Sequence, residues 1–311
     1  MSFTFMKIRT LRSVLCVQVL AWGMAFPSLA AEPRQDALNQ LRSPEAIKRR
    51  IAAQELVNLR SPDTAPALMQ ALSDKDAYVR TLTARGLGYL RWSAAKDKLA
   101  ELALKDPNAE VRQTALLSLR FLSDPATRPT FEKALKDPAE AVRVAAISSL
   151  GGFKDVSAVP VLLESCKDPS PVTRRNVFSA LGQIGDASAL PGLMPGLKDS
   201  DALARANAAQ ALGMIRARDA VPALKKALED PDTMVKVSAA QALAHMGDFS
   251  GRPMVMAALK DPNKIARLLA IDALGGFKDR GAIVMLESLA KDPDPSIKLT
   301  AQAALQRARQ K

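Results

Sequence analysis

"LKDPAEAVRVAAISSLG", Leu135 to Gly151, places Asp137-Pro138 six residues ahead of Arg143 and thirteen ahead of Leu150. The same three positions return along the chain. Aspartates stand at Asp106, Asp137, Asp168, Asp199, Asp230, Asp261 and Asp292, each 31 residues after the last, and Asp74 continues the series upstream with one extra residue. Six positions after each comes Arg80, Arg112, Arg143, Arg174, Arg205, Lys236, Arg267 or Lys298. Leu87, Leu119, Leu150, Leu181, Leu212, Leu243, Leu274 and Leu305 follow seven residues later. A period near 31 residues marks a repeat architecture.

Each unit reads as two helices. Asp137 suits an N-cap and Pro138 a first helical position. Val142, Ala146, Leu150 and Phe153 then share one stripe at helical spacing, and Gly151-Gly152 is expected to end this first helix. The second helix follows in "VPVLLESCK", with Pro160 near its start. One such pair cannot bury both apolar stripes alone, so neighbours must stack. From Ser43, where "SPEAIKRRIAAQEL" is a degenerate first copy, there are eight pairs, and the last segment supplies a ninth first helix as a cap. The expectation is all-α: a right-handed superhelical solenoid over residues 43–311, with a lead-in at 31–42.

The pattern "DPxxxVRxxAxxALG", with a mid-unit proline at Pro66, Pro129, Pro160, Pro191, Pro222 and Pro253, resembles HEAT repeats. The short period resembles the HEAT-like repeats of the phycobilisome lyase family. The resemblance implies a ladder between stacked units, built from Asp74 to Asp292 and Arg80 to Lys298. A catalytic device would occur once, not in every unit. Fold resemblance alone does not carry activity.

The first 30 residues form a different object. "MSFTFMKIRTLR" holds Lys7, Arg9 and Arg12 with no acid, an apolar run covers Ser13 to Phe26, and "SLA" precedes Ala31. This is the three-part pattern of a cleavable secretory signal, and the run is short for a bilayer span. The expectation is an exported protein, periplasmic or secreted, with no stable membrane insertion after cleavage. Removal of three cations takes the formal charge from +12 to +9.

Candidate chemistry is sparse. His245 is the single histidine, and Cys166 is the one cysteine left once Cys16 departs with the signal. Neither a zinc site nor a histidine-based triad can be assembled, and no phosphate-cradling glycine loop is present. No cofactor and no catalysis are expected. Tyr78, Tyr89 and Trp92 cluster in the second unit, where Trp92 is a candidate partner anchor or packs over an insertion. The second-helix row is expected to line the inner face, with Lys96, Lys98, Arg128, Lys133, Lys225, Lys226 and Arg252 as candidate contacts. The partner is another protein, or an envelope polyanion such as acidic polysaccharide or lipid headgroups; nucleic acid is not expected. Pro195 and Gly196 inside a second helix, with Ser200 after Asp199, predict a local bend near residue 195.

Overall fold

The computed structural model describes residues 31–310, so the proposed signal at 1–30 lies outside the described residues. A leading helix α1 (Ala31–Gln40) is followed by α2 (Ala46–Leu59) and α3 (Ala65–Ala71), then α4 (Ala77–Tyr89) and α5 (Lys96–Lys105). Next come α6 (Ala109–Leu122) with α7 (Arg128–Ala134), α8 (Glu140–Phe153) with α9 (Val159–Ser165), and α10 (Pro171–Ile184) with α11 (Leu190–Gly196). The stack closes with α12 (Ala202–Ile215) and α13 (Val221–Ala227), α14 (Thr233–His245) and α15 (Arg252–Ala258), α16 (Lys264–Phe277) and α17 (Arg280–Leu289), and a last helix α18 (Pro295–Arg309). Eight pairs and a ninth long helix match the repeat count, and the architecture is an α-α superhelix. The lead-in is itself helical, and α1 packs on α2.

Local chemistry explains the unit. The repeated aspartate is not the N-cap: it stands two residues earlier and accepts the N–H of the capping position, at 2.9 Å for Asp137 and Ala139. The cap is supplied by Asp76, Asn108, Ser170, Asp201, Asp232, Asn263 or Asp294 where that position is polar. Each repeat proline named above occupies the second residue of a short helix, where its missing N–H costs nothing.

The glycine pair does not stop the helix either. Gly151 and Gly152 lie within α8, which ends two residues later at a left-handed Lys154 with φ 54°. Gly151 serves packing instead: a Cβ there would sit 2.7 Å from the Ala180 Cβ of α10. Gly182 meets Ala211 and Gly213 meets Ala242 in the same way. Successive long helices therefore approach nearly backbone to backbone.

That spacing corrects the assignment of the inner face. Consecutive long helices from α2 to α18 lie in close contact, whereas among the short helices α5 and α7 touch only loosely and the other neighbours hardly at all. The more tightly spaced row takes the inside of an arc, so the long helices line the concave side.

Pro195 does not break its helix. α11 spans seven residues, as do α9 and α13, and Pro195 lies in its last turn, where little of the hydrogen-bond ladder remains to be lost. Gly196 instead makes room for Phe178, whose ring would be 2.8 Å from an added Cβ.

Candidate functional site: the inner face of the long helices

The ladder runs along one edge of this face. In six consecutive rungs, Arg49, Arg80, Arg112, Arg143, Arg174 and Arg205 each donate from Nε to the repeated aspartate of the next unit at 2.7–2.9 Å. Nη2 donates to the second carboxylate oxygen, and Nη1 turns back to a carbonyl six residues upstream at 2.8–3.0 Å. Each guanidinium thus joins two units while closing the turn of its own. These side chains are 3–15% exposed, a degree of burial that charges tolerate only when paired.

Two expected rungs are missing. Lys236 and Asp261 form no ion pair within 4 Å, nor do Arg267 and Asp292. Arg267 keeps its contacts to the Asp261 and Pro262 carbonyls, at 2.7 and 3.0 Å, without reaching onward. Lys298 falls on the terminal helix, beyond which no described unit offers an aspartate. Arg49 was overlooked because its own unit carries Ser43 in the aspartate column; the spacing of six from Ser43 was the available clue.

Most of the cations proposed as contacts are on the outer row and already engaged. Lys96 pairs with Asp124 at 3.0 Å, Arg128 with Asp155 at 3.1 Å, Lys225 with Asp248 at 2.9 Å, and Arg252 with Asp279. These pairs tie a short helix of one unit to the loop of the next, a second ladder apart from the first. Lys98 pairs within its helix with Glu101, while Lys133 and Lys226 are exposed without an acid within 4 Å. Trp92 is half-buried against the core, so its ring packs over the insertion.

The inner face exposes apolar side chains at a fixed register. Four residues past the aspartate column stand Tyr78, Val172, Leu203 and Ile265, and Ile47 holds the same place after Ser43; all are 36–69% exposed, while Glu110, Ala141, Met234 and Ser296 fill the place in the other units. Nearer the helix ends, Tyr89 and Phe121 lie 5.8 Å apart on adjacent long helices. A row of large apolar groups in solvent marks a contact surface more often than a resting one.

Farther along the same face, His245 shares a shallow cleft with Gln210, Met214, Gln241 and Asp272. Desolvation and the nearby Arg216 charge hold its imidazole below the ordinary value. Asp272 is occupied, accepting from Gln241 at 2.7 Å and from Arg307. Cys166 is half-buried beside Gly192, and burial pushes its thiol up to about 12. A thiol so held is protonated at neutral pH and a poor nucleophile. Among the described residues, no group of three or more histidine, cysteine or acidic side chains could hold a metal ion, and no helix is long and apolar enough to cross a membrane.

Known structures share this arrangement. The complex of CpcE and CpcF of phycocyanin lyase from Nostoc superposes with a TM-score of 0.54 at 21% identity, covering 79% of this chain and 88% of that one. YibA of Escherichia coli gives 0.50 at 18% identity, over 92% and 100% respectively. At such identities the likeness is one of fold. No curated protein matches the chain in sequence. The family described as HEAT repeats matches at residues 35–120, 127–202, 190–254 and 252–311, nearly the whole solenoid. With helix pairs, ladder and family match coinciding unit by unit, the chain belongs to the HEAT repeat family.

Proposed function

We propose that this protein is an exported, non-catalytic scaffold that holds another protein against the concave face of its long helices. The observation that carries the reading is the register of exposed apolar residues on that face, from Ile47 through Tyr78, Val172 and Leu203 to Ile265. A stack of units fixes such side chains in a line without loops or moving parts, so binding would cost little ordering entropy. The export component rests on the sequence of residues 1–30, and the mass of the protein in the envelope fraction tests it: a start at Ala31 supports cleavage, an intact Met1 refutes it.

A photoreactive amino acid placed at Val172 or Ile265 on the long row, and at Lys133 or Lys226 on the short row, tests the face. The scaffold reading expects a discrete protein adduct from the first two positions in envelope extract. Adducts only from the short row, or none, would refute it. Capture of polyanion alone would favour the alternative of an acidic polysaccharide or lipid headgroup ligand. That alternative draws on the +9 charge, but it has fewer free cations to work with than the sequence promised.

A further inference from the structure

We propose that the part of the inner face formed by α2, α4 and α6 binds an acidic peptide segment bearing aromatic or aliphatic side chains. The proposal rests on the protein-binding reading and names the chemistry of its partner. Ile47, Ile51, Tyr78, Tyr89, Leu117 and Phe121 stand 37–69% exposed on these three helices alone. Each tyrosine ring carries a guanidinium over one face: Arg50 lies 5.5 Å from the Tyr78 ring centre, and Arg60 5.6 Å from that of Tyr89. Arg50, Ile51, Gln54, Glu55 and Tyr78 line a shallow groove of about 300 Å³ between α2 and α4. Rigid aromatic side chains beside arginines are the composition of binding hot spots.

Charge selects the occupant. The Arg50 charge is met by Asp76. On or next to the same helices, Arg60 beside Tyr89, Arg85, Arg91 and Arg120 have no carboxylate within 4 Å among the described residues; Arg85 reaches the Gln54 side-chain oxygen at 3.3 Å and Arg120 lies against Gly152 of α8. The ladder arginines of the same units, by contrast, are paired; unpaired arginines also occur farther along, at Arg216, Arg218, Arg267 and Arg280, but there without a cluster of exposed aromatic rings. Carboxylates from a partner would complete these four while its apolar side chains cover the exposed rings. A second copy of this chain is a poor occupant, because two cationic molecules would meet, each of formal charge +9 once residues 1–30 are removed. The chain's first 30 residues are equally unsuited, since they contain three cations and no acid. Nucleic acid would leave Ile47, Ile51 and Leu117 without a complement.

The test is selection of a random 12-residue displayed peptide library on the purified full chain, followed by fluorescence anisotropy with the resynthesised peptides. Selected peptides should be rich in Asp and Glu together with aromatic, Leu or Ile residues. Their affinity should fall at least tenfold with Arg60→Glu or Arg120→Glu and about fivefold with Ile47→Ser, all at exposed positions, and stay unchanged with Lys133→Ala on the outer row. Neutral or basic peptides, or acidic ones indifferent to these substitutions, would overturn the proposal. If no peptide is selected while cross-linking still traps a protein on the long row, the acidic-peptide proposal falls and the scaffold reading survives; if both experiments are blank, both fall.

Discussion

Arg49 donates to both carboxylate oxygens of Asp74, at 2.7 and 3.0 Å, and to the carbonyls of Ser43 and Pro44, each at 2.9 Å. One side chain therefore fixes the turn that starts its own helix and the position of the next unit. The same arrangement recurs at Arg112, which reaches Asp137 while holding the Asp106 carbonyl. What recurs is a joint that sets the stacking of one unit on another, which is why it repeats where a catalytic group would not.

Arg112→Met is expected to destabilise the chain by roughly 2–3 kcal/mol, since it strands a carboxylate and a carbonyl whose hydrogen bonds involve a charged donor. Asp137→Asn keeps an acceptor for the Ala139 N–H and should cost less. Urea denaturation checks both. Equal loss in the two variants would mean that the charged pairing they both disrupt, and not the turn bonds that only Arg112→Met removes, supplies the stability.

The sequence made the stack legible because its column of aspartates has a period, and a period survives ignorance of contacts. It misplaced the N-cap because an aspartate that accepts an N–H two residues on looks the same in sequence whether it caps a helix or closes the turn before it. The inner row was misassigned for a related reason: apolar stripes say which side of a helix is buried, not which row of helices is more tightly spaced. The clue was present in Gly151, Gly182 and Gly213, whose contacts with Ala180, Ala211 and Ala242 draw the long helices together. The inner face is not legible from the charge of the cations alone. Which of them were already paired, as Lys96 and Arg128 are, depends on neighbours a repeat away.

Lys154 ends α8 in the left-handed region with φ 54°, where a Cβ is strained, and in α10 the residue ending the helix is Gly185 with φ 79°. Lys154→Gly should therefore stabilise the protein by about 1 kcal/mol, the order of the left-handed penalty for a residue with a side chain. An upward shift of the urea midpoint at unchanged slope is the expected readout. A downward shift would show that the Lys154 side chain contributes more than its backbone costs.

Loss of the rungs at Lys236 and Arg267 leaves α16 to α18 joined to the stack by apolar packing and by more exposed pairs, Lys264 with Asp294, Arg307 with Asp272 and Arg252 with Asp279, in place of buried forked ones. Amide hydrogen exchange should be faster there than in α6 to α12, because local opening follows the weakest joints. Lys236→Arg supplies the forked donor that the other rungs use and should slow exchange in α14 and α16. Uniform protection along the chain, or no change in the variant, would refute the idea that the ladder sets local stability.

Acid should loosen the joints in a defined window. The Arg174 hydrogen bonds hold the Asp199 carboxyl below its ordinary range against the opposing effect of burial, and Arg175 does the same for Asp201. Asp248 lies at about 2, through hydrogen bonds from Ser250 and Lys225. Since these folded values are depressed, their stabilisation is complete above the unfolded value of about 3.9 and is lost as pH falls through the folded ones. The melting temperature should be level from pH 8 to about 6.5, fall slightly below that as the depressed His245 must take up a proton, and drop steeply from about pH 4 towards pH 2 as the carboxylates protonate. In Arg174→Gln, Asp199 regains a nearly ordinary value, so the drop should be shallower and start from a lower plateau. A melting temperature that holds to pH 2, or a variant whose curve runs parallel to the parent's, would show that these carboxylates titrate alike in the folded and unfolded chain and that the ladder gains nothing from their charge.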